Sequence, residues 1–288
     1  MPRTLREGGQ PCAAGHAAKL AGALSWAASW QFRKLGRAML RPLFAHAHAE
    51  RPTLPRPALS SLAWWLDVLQ RGITETREWS PTDNRPPVLV FADARGEPPR
   101  TAAVIWIDGY WEYTDQEPPT WLTRPELSTA SGRRRSARAR RQFQTRSDNQ
   151  IAGLEMIASA LAVSTWEKEL KGRKVRLFSD NTIAEWSFRK GSAKCCDHGA
   201  IVHHFWSVIG LLQINLQIER VPSGGGPRRL LSRSGPASRG APDDNISDLP
   251  SREEYDLMRH LGATWRRPWL RPEFWDLQLP CQLAARPV

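Results

Sequence analysis

The chain of 288 residues holds only four cysteines, Cys12, Cys195, Cys196 and Cys281, two of them adjacent and none in a Cys-x-x-Cys pair. That spacing argues against a disulfide framework and against a zinc site, and it suits a reducing, intracellular compartment, cytoplasmic or nuclear. No run of about 18 apolar residues is present to cross a bilayer. The N-terminal "MPRTLREGGQ" has no hydrophobic signal core either, so a soluble protein with no membrane partner is expected. Acids are missing where the cations concentrate. The formal net charge is +12, yet "RRRSARARR" (133–141) supplies six arginines and "GGGPRRLLSRSGPASRG" (224–240) four more. The balance elsewhere is near neutral, so the basicity resides in two loop-like segments and does not demonstrate a charged groove built into a fold.

What is present is enough for a core. Hydrophobic residues make up 41% of the chain, while 23 prolines, 20 glycines and a mean hydropathy of -0.50 predict long irregular stretches between folded parts. "AAKLAGALSWAASWQFRKLGRAMLRPLF" has apolar residues at helical spacing, with Pro42 as a stop, and "SSLAWWLDVLQRG" reads as a helix capped by Ser60 or Ser61 and ended by Gly72. Trp64 and Trp65 read as core or interface packing. Three strands follow in "PPVLVFADA", "TAAVIWID" and "YWEYTD", the last two joined by Asp108-Gly109, a type I′ hairpin signal. After a feature-poor, Arg-rich stretch come a helix in "NQIAGLEMIASALAVSTW", a Gly172 turn and a strand in "GRKVRLFSD". Another helix starts near Asn181, and "GAIVHHFWSVIGLLQ" forms a further one with Ile201, Phe205, Val208, Ile209 and Leu212 on one face. The strand "INLQIERV" and a final helix in "NISDLPSREEYDLMRHLG", with Ser251 and Glu254 as a capping box, complete the pattern.

Four acids sit where they could carry chemistry. Asp93 and Asp180 each end an apolar strand, a position that also suits a turn-forming Asp. At about 100° per residue, Glu155 falls within about 40° of Ile151, inside the apolar stripe of its helix, so its carboxylate needs an Arg partner, an edge position, a raised pKa or a metal. Asp248, at the front of the final helix, suits ordinary capping as well as a functional role. The topology adds weight. In an antiparallel three-strand unit followed by a crossover, the fourth strand lies parallel to the first, and the C-terminal ends at Asp93 and Asp180 become neighbours, where open sheets place ligands.

"VFADA", "NQIAGLEMIA", "VRLFSDNT" and "NISDLPSR", in this order, resemble the ribonuclease H-like domain of retroelement reverse transcriptases, and "KLAGALSWAASWQFRKLGRAMLRPLF" with "LAWWLDVL" is similar to the thumb and connection region upstream of it. The resemblance spans about Lys19 to Gly262 and is absent from the two Arg-rich segments. It implies an α/β, ribonuclease H-like fold: a five-stranded mixed sheet, its first three strands antiparallel, with helices on both faces and a small helical region before it. The implied organisation is a disordered 1–16, a helical 17–80, a ribonuclease H-like domain over 86–262 with insertions at about 117–148 and 223–243, and an irregular tail at 263–288. It further implies hydrolysis of the RNA strand of an RNA/DNA hybrid with two Mg²⁺ ions, Mn²⁺ being an alternative. Asp93 would bridge both ions, Glu155 and Asp180 would complete one site and Asp248 the other, with Asn181 and Arg252 on the nucleic acid. The polymerase part of the same polyprotein is the implied protein partner. Glu in second place separates this pattern from integrases and transposases, and the lack of Asp-x-Glu on the first strand separates it from proofreading exonucleases.

Two departures qualify that expectation. No His lies between Val221 and Asp248, where cellular relatives often carry one, and no Tyr-x-Asp-Asp polymerase signature occurs anywhere in the chain. The competing readings are a catalytically silent remnant that binds nucleic acid or a partner protein, and an unrelated α/β module whose acids are turn-formers.

Overall fold

In a computed structural model, the structure describes residues 12–30, 34–49, 52–70, 84–123, 150–221 and 245–275. The chain divides into two compact units, one made of 1–81, 190–211 and 277–288, the other of 82–189 and 212–276.

The first unit is helical: α1 (Ala14–Trp30), α2 (Arg37–Ala49), α3 (Arg56–Gln70) and α8 (Cys196–Leu211). Its core gathers Ala21, Leu24, Met39, Leu43, Leu59 and Trp65. Pro42, expected as a stop, lies inside α2. Its missing N–H would have bonded only the carbonyl of Ala38, near the start of the helix, and burial of Met39, Leu40 and Leu43 carries the helix past it. Ser60 and Ser61 are likewise inside α3, not at its cap, and the Ser60 hydroxyl donates back to the Arg56 carbonyl at 3.0 Å. Gly72 lies outside the described residues. Of the N-terminal stretch expected to be disordered, residues 12–16 are described, and Ala14 opens α1. The sequence pattern placed α8 in the second region, whereas the compact unit groups it with the N-terminal helices. Trp64 meets His203 edge-on at 4.9 Å, the Lys34 ammonium lies 5.1 Å from the Trp206 ring centre, and Arg37 donates to the Lys190 carbonyl. His203 is a core residue, its pKa pushed down to about 3 by burial and then by His204.

The second unit is α/β. Its sheet has β1 (Val88–Gly96), β2 (Pro99–Ile107), β3 (Tyr110–Gln116), β4 (Lys174–Ser179), β5 (Asn215–Arg220) and β6 (Thr264–Trp265), in the order β5-β4-β1-β2-β3-β6. Strands β1, β2 and β3 are antiparallel neighbours, and β4 lies parallel to β1 with β5 parallel to β4. Between the strands run α4 (Thr120–Thr123), α5 (Ile151–Thr165), α6 (Glu167–Leu170), α7 (Thr182–Lys190), α9 (Asp248–Ser251), α10 (Asp256–His260) and α11 (Pro272–Trp275), of which the last residue of α7 falls in the first unit. Asp108 and Gly109 both have positive φ, 48° and 98°, as the hairpin signal required, and Gly172 turns at 69° into β4. Asp108 also accepts a two-pronged hydrogen bond from the buried Arg173 at 2.9 and 3.1 Å, which holds its carboxyl below the usual range.

Among the described residues the sheet has six strands rather than the expected five, because the tail expected to be irregular adds one. Thr264 and Trp265 pair parallel to Glu112 and Tyr113, and the Arg266 amide continues the ladder to the Tyr113 carbonyl at 2.8 Å. Thr165 and Trp269 exchange reciprocal hydrogen bonds of 3.1 Å, and Arg271 pairs with Glu167 at 3.0 Å, so 263–275 is strapped to the sheet edge and to α5 and α6. Of the insertion expected at about 117–148, residues 117–123 are described. Trp121 and Leu122 in α4 are buried, and the Trp121 indole donates to the Phe274 carbonyl at 2.9 Å. Residues 124–149 and 222–244, which hold both Arg-rich segments, lie outside the described residues. Among the described residues no helix is long and apolar enough to cross a membrane.

A Cβ added at Gly109 would meet nothing within 4 Å, so only backbone strain opposes a side chain there. Gly109→Ala is expected to lower stability by about 1 kcal/mol in urea denaturation of the whole chain, without altering the far-UV circular dichroism.

Candidate metal centre

The site forms where two strands part. β1 and β4 pair only from Val88 with Val175 to Phe91 with Phe178; beyond that, β1 stays with β2 as far as Gly96, and β4 with β5. The last pair is locked by stacking, the Phe91 and Phe178 rings lying 4.9 Å apart at 15°. Strand side chains alternate faces, so two residues further along, Asp93 and Asp180 emerge next to each other on the face of those rings. Opposite Asp93 stands Ala102, small enough to leave room beside the carboxylate.

The third acid arrives from α5. That helix is buried on nearly every side, from Ala152 to Thr165, so its one acid has no route to water, and Glu155 is only 3% exposed. This corrects the notion of a single apolar stripe: burial of Glu155 follows from a helix sunk in the core, not from its angle alone. The Ala94 backbone N–H donates to its carboxylate, while Oε2 finds no hydrogen-bond partner among the described residues. Carboxylate oxygens of Asp93, Glu155 and Asp180 lie within 4.8 Å of one another.

Two unit charges at that spacing repel by about 3 to 4 kcal/mol at an effective dielectric of about 20. Without a cation the site must hold protons instead. Burial, followed by the Asp180 and Asp248 charges, raises the Asp93 pKa to about 7 against the lowering effect of a hydrogen bond from Ser251. Glu155 is pushed well above the usual carboxylate range by burial and then by Asp93 and Asp180. Asp180 is also raised, by burial first and Asp248 second. Hard oxygen donors from three segments, mutually repelling, with one buried oxygen unsatisfied, suit a hard cation. These three residues could hold such an ion.

Asp248 stands beside this trio and is not one of the group sharing the 4.8 Å limit. Its side chain is 42% exposed and pairs with Arg252 at 2.8 Å. It faces a cleft of about 560 Å³ that is lined by Asp93, Arg95, Ser251, Arg252 and Glu254 as well. The final helix on which Asp248 was expected is two short pieces, α9 and α10, because Glu253 adopts a left-handed φ of 65° between them. The expected Ser251–Glu254 capping box is therefore not formed. Ser251 ends α9, and its hydroxyl reaches Asp93 Oδ2 at 2.5 Å and the Asp248 carbonyl at 3.0 Å. Asn181 acts as a helix cap, its side-chain oxygen accepting from the Ile183 and Ala184 amides at 3.0 Å, while Arg252 stands on the cleft wall. Ser251 and Asn245, whose amide donates to the Ala92 carbonyl at 3.0 Å, were not singled out as site residues in the sequence. Their signal was the run of short polar residues around Asp248 in "NISDLPS".

No family model, curated protein or solved structure matches the chain.

The raised pKa of Asp93 fixes a sign for stability. The folded chain keeps this proton up to about pH 7, whereas the unfolded chain releases it near 3.8, so stability drains away as pH rises through that window. In EDTA, Asp93→Asn is expected to match the wild type near pH 4 and to exceed it by a few kcal/mol at pH 8, read by urea denaturation. Millimolar Mg²⁺ or Mn²⁺ is expected to raise the wild-type melting temperature at pH 8 and to leave Asp93→Asn nearly unmoved.

Proposed function

We propose that the chain is a metal-dependent nuclease that cleaves the RNA strand of RNA/DNA hybrids, a ribonuclease H-like domain from the C-terminal part of a retroelement reverse transcriptase without the polymerase site. One observation carries this reading: Asp93, Glu155 and Asp180, from three separate segments, bring carboxylate oxygens within 4.8 Å where adjacent parallel strands part. The strand order β5-β4-β1-β2-β3, with the first three strands antiparallel, supports the fold this reading needs, and β6 is an addition at its edge. The polymerase part of the polyprotein is the expected protein partner.

Asp93, Glu155 and Asp180 would hold one Mg²⁺, and Asp93 with Asp248 a second, with Mn²⁺ able to replace either. Bound there, the ions supply charge stabilisation for the attacking and leaving oxygens of an in-line displacement. The chain's own groups do the rest. Asp248 is partly exposed and faces the cleft, where it orients the attacking water. Arg252 and Arg95 on the cleft wall attract the phosphodiester backbone. Water oxygen bonds to phosphorus as the bond to O3′ breaks, and the proton passes through solvent to the leaving oxygen, giving 5′-phosphate and 3′-hydroxyl ends.

The Arg252–Asp248 ion pair favours a second reading, a silent module that binds nucleic acid or protein, in which this acid serves only its arginine. Hybrid cleavage by the purified chain separates the two. Cutting in Mg²⁺, abolished by EDTA and reduced at least about 100-fold by Asp180→Asn with hybrid binding retained, is the expected result. A folded wild type that leaves hybrid intact at every Mg²⁺ and Mn²⁺ concentration sinks the nuclease reading.

A further inference from the structure

The fourth acid rides on a helix of four residues, Asp248–Ser251, far too short to place itself. Two side chains do the placing, and they hold consecutive residues of β1. Ahead of the helix, Asn245 donates through Nδ2 to the Ala92 carbonyl at 3.0 Å, one residue past the last β1–β4 pair. Its own oxygen accepts from the Ser247 hydroxyl at 2.6 Å and from the Ser247 amide at 3.4 Å. At the other end, the Ser251 hydroxyl reaches Asp93 Oδ2 at 2.5 Å. Asn245, Ser247 and Ser251 are all buried, whereas Arg252, Glu253 and Glu254 directly after them are exposed. Behind the helix, Glu253 pairs with Arg95 and Arg100 at 3.0 and 3.3 Å, and the Tyr255 hydroxyl meets Asp115 at 3.2 Å, so the segment is also tied to β1, β2 and β3.

We propose that Asn245 and Ser251 are paired positioning residues: Asn245 sets where Asp248 stands relative to β1, and Ser251 fixes the Asp93 carboxylate toward the cleft, so both acids are in place before an ion arrives. This rests on the reading of those acids as ion ligands. The physical content is preorganisation. A carboxylate free to rotate must be ordered when the ion binds, and a serine that already holds it removes that cost from ion binding.

Ser251→Ala removes one buried oxygen and leaves the packing volume nearly unchanged. In the full chain it is expected to weaken Mn²⁺ binding about tenfold by titration calorimetry. The Mg²⁺ concentration for half-maximal cleavage should rise by a similar factor and kcat should fall, while KM for hybrid stays within about twofold. Asn245→Asp, which loses the amide donor but keeps the oxygen toward Ser247, is expected to change the same quantities in the same direction. A serine needed only for folding would lower the melting temperature in EDTA and leave the Mn²⁺ affinity of the folded fraction alone. Unchanged Mn²⁺ affinity in Ser251→Ala overturns the proposal whatever happens to hybrid, and so does a wild type that binds no Mn²⁺. A wild type that binds Mn²⁺ but leaves hybrid uncut sinks the nuclease reading instead, and the affinity comparison still decides the role of Ser251.

Discussion

Repulsion among buried carboxylates is the constraint around which the second unit is organised. Asp93 and Glu155 are both almost fully buried, and with Asp180 they crowd their oxygens into less than 5 Å. Left to themselves such groups would turn away from one another or rise to solvent. They stay because each is held by structure that has its own reasons to exist. The Phe91–Phe178 stack locks the strand pair beneath the two aspartates, and α5 is packed on nearly every side, so Glu155 cannot leave without taking a core helix with it. The fold thereby stores an electrostatic demand that protons answer in acid and that a bound cation could answer at neutral pH.

The hub of this arrangement is a run of three residues in β1. The carbonyl of Ala92 holds Asn245, the carboxylate of Asp93 holds Ser251, and the amide of Ala94 holds Glu155. A central strand normally spends its backbone groups on its two neighbours. Here β4 departs after Phe178, and the groups set free on β1 are taken up by side chains from elements more than 60 residues away in sequence. Where the ladder opens, the site begins.

Most of the elements were legible in local pattern. The Asp108-Gly109 turn, the three antiparallel strands and the helix carrying Glu155 follow from turn chemistry and periodicity acting over a few residues, and the parallel placement of β4 beside β1 follows from the crossover that joins them. Pattern failed where a local rule met a tertiary contact. Pro42 did not stop its helix because buried neighbours carried it on, and Ser251 did not cap a helix because the chain breaks at Glu253 and leaves it at the end of α9, with its hydroxyl on Asp93. The tail became strand and strap because β3 offered an open edge and Glu167 and Glu169 offered partners to Arg271 and Arg266.

The amino-acid order alone determined that an acid would close each of two apolar strands and that a third would sit within an apolar helix, because hydrophobic spacing is a short-range property of the chain. Only the tertiary structure decided that these three meet within contact range of an ion, that Asp248 stands aside with Arg252, and that a serine holds Asp93. Those outcomes depend on distances between segments far apart along the chain, set by strand pairing and burial rather than by any local preference.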